Sequence, residues 1–288
     1  MQVRKAAGAL GAYISDVDLK DIVTSNNLFR KVRDLVIEHE VVFFRDQNVE
    51  PQVFQAFARS FGAVLDHPAY QTVQGADDVQ ILESTPENLS KIEAWHSDMT
   101  FALEPPNYTL LHGQIIPEYG GDTLWASATT AYKTLSTPMQ NFFAGLTAGH
   151  DFRHGFKESL AEPGGPERLA GAIAANPPVE HPLVRTHPDT GKKALYVNSL
   201  FTTHIKGLSK LEGDRLLQFL YSHIVSEEHT VRLSWEPQTI AIWDNRSTQH
   251  FAIWDYWPNT RRGHRVAVRG GPPEMWKSSQ VTNVTKEN

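Results

Sequence analysis

The sequence predicts a mainly β protein with flanking helices, an α+β chain with a jelly roll or related β-sandwich at its core. Three observations carry that prediction. The last third is dense in strand signals: TVRLSW (230–235), TIAIWDN (239–245) and HRVAVRG (264–270) alternate or run apolar. Strand-like runs also occur early, so strands stand at both ends of the chain. No regular succession of strand and helix marks βαβ units, which argues against a doubly wound sheet. A β-rich chain of 288 residues commonly folds as one unit, and a single domain over 1–288 is expected.

Along the chain, LFRKVRDLVIEHE (28–40) sets Leu28, Val32, Leu35 and Val36 on one helical stripe, and VVFFRDQ (41–47) follows as a strand. PQVFQAFARSFG (51–62) begins with Pro51, tolerated in a first helical turn, and ends at Gly62. VQILES (79–84) and YTLLHGQIIP (108–117) read as strands. Thr137 to Gln140 has capping-box spacing with Pro138 at the first helical position, predicting a helix to about Gly145. Ser209 and Glu212 form a second such pair, opening a helix through Leu216, Leu217, Leu220 and Ile224. The stretch 161–182 is rich in Gly, Pro and Ala; it reads as a surface insertion or, taken over about 157–182, as a lid. The polar tail 277–288 is expected to be disordered.

Composition excludes several classes. A net charge of −6 gives no electrostatic case for nucleic acid or anionic membranes, so a bound anion needs a local basic pocket. The absence of cysteine removes disulfides, thiolate metal sites and cysteine nucleophiles together. Any metal must then sit on nitrogen and oxygen. The opening MQVRKAAGALGAYISD has too short an apolar run for a signal peptide, and no stretch approaches the length of a membrane span. A cytoplasmic protein is expected.

The chemistry starts at WHSDMTF (95–101). As a strand, this stretch would put His96 and Asp98 on one face, able to share a small ion. Among 13 histidines such a pair also arises by chance, so it needs support. His250, just beyond the strand 239–245, supplies it. Two imidazoles and one carboxylate on one face of an octahedral ion leave three positions open, the pattern of mononuclear non-haem Fe(II) sites. Arg261 and Arg265 follow in TRRGHRVAVR; Arg265 opens an apolar run and reads as an inward anion clamp, while Arg262 reads as a surface residue. In GGDTLWAS (120–127), Thr123 offers a hydroxyl after a Gly-rich turn.

Together WHSDMTF, GGDTLWAS, AIWDNRSTQH and the arginines after them resemble the taurine dioxygenase family of Fe(II)/2-oxoglutarate-dependent oxygenases. The similarity runs from VVFFRDQ to HRVAV and takes in HDFRHGF (150–156), HPLVRTHPDTGKKALYVN (181–198) and FTTHI (201–205). The resemblance implies a double-stranded β-helix, with His96, Asp98 and His250 as catalytic iron ligands. It implies that Thr123 and Arg261 bind the distal carboxylate of 2-oxoglutarate. Arg265 would reach the co-substrate's other carboxylate and the anionic head of the substrate. The implied reaction consumes O2 and 2-oxoglutarate, releases succinate and CO2, and hydroxylates a substrate C–H bond. A homo-oligomer, dimer or tetramer, is also implied.

For the substrate, the resemblance points to taurine or a related small sulfonate, whose hydroxylated carbon would collapse to an aldehyde and sulfite. His67 and Tyr70, in an H-P-x-Y stretch, would contact it, with Met99, Phe156 and Phe201 as walls. Two positions depart from the family pattern: Ile92 stands where a polar Asn is expected and Gly155 where a Ser is. Loss of polar groups there would relax selection for an amine. Alkyl sulfate esters or aryloxyalkanoates are therefore alternative substrates. A zinc hydrolase or a non-catalytic cupin-like binder would leave the Thr123–Arg261 pair without a purpose.

Overall fold

The computed structural model describes residues 1–65, 70–87 and 92–275. Its centre is an eight-stranded sheet ordered Gln2–Lys5, Ala12–Ser15, Val41–Phe44, Ile240–Asp244, Tyr108–Ile115, Arg261–Val268, Ala76–Ser84 and Thr72–Val73. Neighbours pair antiparallel except Ala12–Ser15 with Val41–Phe44, which are parallel. A three-stranded antiparallel sheet, Thr230–Leu233, Thr123–Ser127 and Thr248–Ala252, packs on one face. The expected jelly-roll sandwich is the observed architecture.

The central strands Val41–Phe44 and Ile240–Asp244 are apolar almost throughout because both of their faces are covered. Val42, Phe44, Leu110, Ile240, Ile242 and Val266 lie in the cluster under the helices Leu19–Thr24, Asn26–His39 and Pro51–Phe61. Their odd-numbered partners Val41, Phe43, Leu111, Ala241 and Trp243 point the other way, into a cluster with Trp125, Val231 and Leu233 of the smaller sheet. The period of two therefore sorts each strand between two cores. That inner face also receives the polar residues of the site.

A second group of elements flanks the sandwich. The helices Ala128–Thr134, Thr137–Phe143 and Lys210–Ile224 share a core with the sheet of Thr202–Ile205, Thr147–His150 and Val179–Pro182. The Ser209–Glu212 capping box forms in full. The one expected at Thr137 does not. Ser136 occupies the cap position, and Gln140 turns back to donate to the carbonyls of Tyr132, Lys133 and Leu135. Those carbonyls stand at the end of the preceding helix, where Tyr132 O also accepts from the Leu135 N–H. The Gly- and Ala-rich stretch is ordered as the helices Lys157–Ala161 and Gly165–Ala175, and Val179–Pro182 is an integral strand. Pro166 in the first turn and the alanine-rich sequence after it favour helix there. Among the described residues no helix is long and apolar enough to cross a membrane. The tail 277–288 lies outside the described residues.

Glu40 joins the helix Asn26–His39 to the strand Val41–Phe44 with φ of 66°. It is buried, accepts a hydrogen bond from Thr129 through Oε1, and leaves Oε2 without a hydrogen-bond partner among the described residues. Burial pushes its carboxyl up to about 7, against the lowering effect of hydrogen bonds from Thr129 and Ser127. A raised folded-state value means that stability is complete below the unfolded value near 4.5 and is lost as pH rises toward 7. Glu40→Gln removes that loss. Urea unfolding should show the variant more stable than the parent by roughly 2–3 kcal/mol at pH 8 and nearly equal to it at pH 4.5.

Candidate active site

His96, Asp98 and His250 converge, though not through strand periodicity. WHSDMTF contributes a single antiparallel bridge, in which His96 N–H donates to His250 O at 3.1 Å and His250 N–H to His96 O at 2.7 Å. Ser97 Oγ adds a bond to Thr248 O at 2.6 Å. The chain then turns through Asp98–Thr100, with Met99 at φ 49°. Bridge plus turn, rather than a strand, carry Asp98 back beside His96. His250 itself lies on the strand Thr248–Ala252, paired with Trp125 of Thr123–Ser127.

Nε2 of each histidine lies 3.9 Å from Asp98 Oδ1, and the three ligand atoms fall within 4.8 Å of one another. His96 Nδ1 lies 2.8 Å from Ala94 O, a pure acceptor, so Nδ1 carries the proton and Nε2 presents a lone pair. Burial keeps both rings neutral: it lowers His96 and, with the neighbouring His96 ring, holds His250 at about 3. Burial pushes the Asp98 carboxyl up, but the charge of Arg265 and a hydrogen bond from Thr109 oppose it and hold the group well below the usual range. Two neutral imidazoles and one carboxylate form a donor set suited to Fe(II).

Asp98 Oδ2 is fully engaged, leaving Oδ1 toward the histidines. Thr109 Oγ donates to Oδ2 at 2.6 Å, and Arg265 Nη2 lies 3.0 Å from it. Asn245 closes the network: its Nδ2 donates to Thr109 Oγ at 2.7 Å, while its Oδ1 accepts from Asp98 N at 3.2 Å and Trp243 Nε1 at 3.1 Å. Gln80 Oε1 accepts from Arg265 Nη1 at 3.0 Å. Sequence reasoning singled out none of Thr109, Asn245 or Gln80. The available signals were a lone polar residue early in YTLLHGQIIP and the Asn of WDNRSTQH.

Arg261 and Arg265 lie four residues apart on Arg261–Val268 and therefore share a face, whereas Arg262 turns away to pair with Glu83. The Arg261 guanidinium stands 5.4 Å over the Trp235 ring, and its Nε is buried without a hydrogen-bond partner among the described residues. Trp235 Nε1 donates to Thr123 Oγ at 2.9 Å. The hydroxyl proton of Thr123 is thereby left to donate elsewhere. A guanidinium and a hydroxyl thus meet around one indole.

An aromatic wall completes the site. The Phe201 ring stands edge-on to His96 at 6.2 Å and to Phe101 at 4.9 Å. Phe152 and Phe156 stack behind at 4.3 Å, with Met99, Leu169, Ala172 and Ile173 packed on the cluster.

Residues 2–268 match the family described as taurine catabolism dioxygenase TauD, TfdA family. The chain belongs to this family. It is an α-ketoglutarate (2-oxoglutarate)-dependent dioxygenase that uses Fe(II), 2-oxoglutarate and O2. It is 35% identical over 274 residues to an alkylsulfatase of Acinetobacter baylyi, covering 94% of this chain and 85% of the relative. An α-ketoglutarate-dependent sulfate ester dioxygenase of Pseudomonas putida is 32% identical over 291 residues, covering 100% and 95%. The crystal structure of a taurine dioxygenase from Burkholderia xenovorans superimposes with a TM-score of 0.80 at 34% identity, covering 94% of this chain and 90% of that one.

Against the family pattern, His67 lies outside the described residues. Tyr70 stands near the site: burial raises its phenol, while the charges of Arg265 and Asp98 act on it in opposite senses. Gly155 has a steric cause, because a Cβ there would come within 2.4 Å of the Phe201 ring. A serine would displace the wall. Ile92 uses its carbonyl to accept from Trp254 Nε1 at 2.9 Å.

Thr109→Val should leave Asp98 Oδ2 to Arg265 alone and strand the Asn245 amide while nearly conserving volume. Equilibrium dialysis against Fe(II) under argon should show affinity roughly 10- to 100-fold weaker than the parent.

Proposed function

We propose that this enzyme hydroxylates the carbon bearing the sulfur group of a small organic sulfonate, or the ester carbon of an organic sulfate. The observation that carries this reading is the convergence of His96, Asp98 and His250 beside a buried arginine, with a second arginine further along the same strand face. In it, His96, Asp98 and His250 hold Fe(II). Thr123 and Arg261 clamp the distal carboxylate of 2-oxoglutarate, and Arg265 serves its other carboxylate and the substrate anion. His67 and Tyr70 complete the anion site, and Met99, Phe156 and Phe201 wall the organic part.

Bound iron supplies oxygen activation coupled to decarboxylation of 2-oxoglutarate. The protein's share is placement. Arg265 and the aromatic wall orient one C–H bond, and the cluster of Phe101, Phe152 and Phe201 keeps water from it. Once that carbon carries a hydroxyl, loss of its proton forms the aldehyde C=O. The C–S bond of a sulfonate breaks with its electron pair on sulfite; in an ester the C–O bond breaks and sulfate leaves. The helix Gly165–Ala175, through Leu169, Ala172 and Ile173, serves as the cover of this wall.

An apolar wall without the expected polar residues at 92 and 155 favours an alkyl tail over the ammonium of taurine. The sulfate-ester activities named for the two relatives point the same way. The H-P-A-Y stretch at 67–70 is what favours taurine itself.

Anaerobic addition of Fe(II) and 2-oxoglutarate should give a weak visible charge-transfer band that shifts with hexyl sulfate or 1-hexanesulfonate more than with taurine. A taurine-only shift would reverse the substrate order, and absence of the band would remove the iron assignment. Asp98→Ala should lose the band. Arg261→Ala should raise the KM for 2-oxoglutarate by roughly 30- to 100-fold, with a smaller effect on the sulfur substrate.

A further inference from the structure

The segment Val197–Phe201 touches each of the three ligand-bearing stretches. Val197 O accepts from Gln249 Nε2 at 2.6 Å, one residue before His250. Ser199 Oγ donates to Trp95 O at 3.3 Å, one residue before His96. Asn198 Nδ2 donates to Thr100 Oγ at 3.0 Å, two residues after Asp98. The same Asn198 accepts from Phe201 N through Oδ1 at 2.9 Å, and its backbone N–H donates to Thr202 Oγ at 2.9 Å.

Asn198 is 1% exposed and Thr100 0%. Both amide functions of Asn198 are therefore committed inside the protein, one to the turn that carries Asp98 and one to the turn that carries Phe201. Thr100 Oγ also lies 3.0 Å from His150 Nδ1, so its hydroxyl links three elements at one point. Burying such groups is costly unless every partner is present, and that makes the arrangement rigid.

We propose that Asn198, acting through Thr100 and Phe201, is a positioning residue that fixes the substrate wall relative to the metal-ligand turn. It touches neither metal nor substrate. Its effect falls on where the substrate carbon rests, and not on the 2-oxoglutarate cradle of Thr123 and Arg261, to which this segment makes no hydrogen bond among the described residues. This role rests on the function proposed above, since it assigns Phe201 to the substrate wall.

The test uses the full chain loaded with Mn(II) and 2-oxoglutarate, titrated calorimetrically with taurine, hexyl sulfate and 1-hexanesulfonate. The Fe(II) enzyme is then assayed for the ratio of aldehyde formed to succinate formed. Thr100→Val and Asn198→Ala should weaken the best-bound sulfur compound about tenfold and lower that ratio several-fold, while 2-oxoglutarate affinity stays within about twofold. Thr100→Ser, which keeps the hydroxyl, should restore both quantities. If Asn198→Ala does not fold, Thr100→Val against Thr100→Ser decides alone. Parental substrate affinity and ratio in Thr100→Val would overturn the assignment. So would equal losses for substrate and 2-oxoglutarate, because that is the signature of a general loosening. A parent protein that binds none of the three compounds overturns the proposed substrate class, and the role of Asn198 with it.

Discussion

A buried carboxylate that must stay ionised and keep one oxygen bare sets the terms for this site. Asp98 is 8% exposed, and burial alone would protonate it. Arg265 and Thr109 reverse that by engaging Oδ2, and in doing so they leave Oδ1 as the atom presented to the histidines. Each then needs support of its own. Gln80 receives the other arm of Arg265, and Asn245 occupies the remaining capacity of Thr109. Remove one member and a buried donor is orphaned, so the group behaves as a unit.

Those members come from different layers of the sandwich. His250 lies on the three-stranded sheet; Thr109, Gln80 and Arg265 lie on the eight-stranded one; Asp98 lies on the crossing turn. Docking the two sheets therefore assembles the site, and the apolar cluster of Phe43, Trp125, Leu233 and Trp243 supplies the docking force. Alternation along each strand does the sorting: Arg265 and Val266 are neighbours in sequence but face different cores.

What was legible in the sequence follows from locality. Helix boundaries, central strands and the candidate set His96, Asp98 and His250 announce themselves within short windows, and separated motifs in order identify the family. Whether WHSDMTF is a strand is not decided within its own window, because its geometry depends on a bridge to His250, far along the chain. Gln140 was misread for a like reason: it has capping-box spacing, but its amide serves the carbonyls of another helix. The partners Thr109 and Gln80 were not legible at all. Each is an uncharged polar residue on a strand that carries other polar residues, and its meaning lies in a residue brought close only by folding.

Gly155 shows how a departure from family pattern can be misjudged from sequence. Read alone, glycine for serine subtracts a hydroxyl from the pocket. In the structure it makes room for the Phe201 ring, which stands at the edge of His96. The exchange trades a local hydrogen-bonding group for an aromatic surface delivered from a distant segment. A hydrogen-bonding pocket rejects a ligand that lacks the matching group, whereas an apolar wall discriminates weakly and by size. Phe201 is in turn held by Asn198, so the shape of the wall is set by a polar residue that sits behind it. Selectivity in this site is thus a property of the buried hydrogen bonds that place its rings, as much as of the rings themselves.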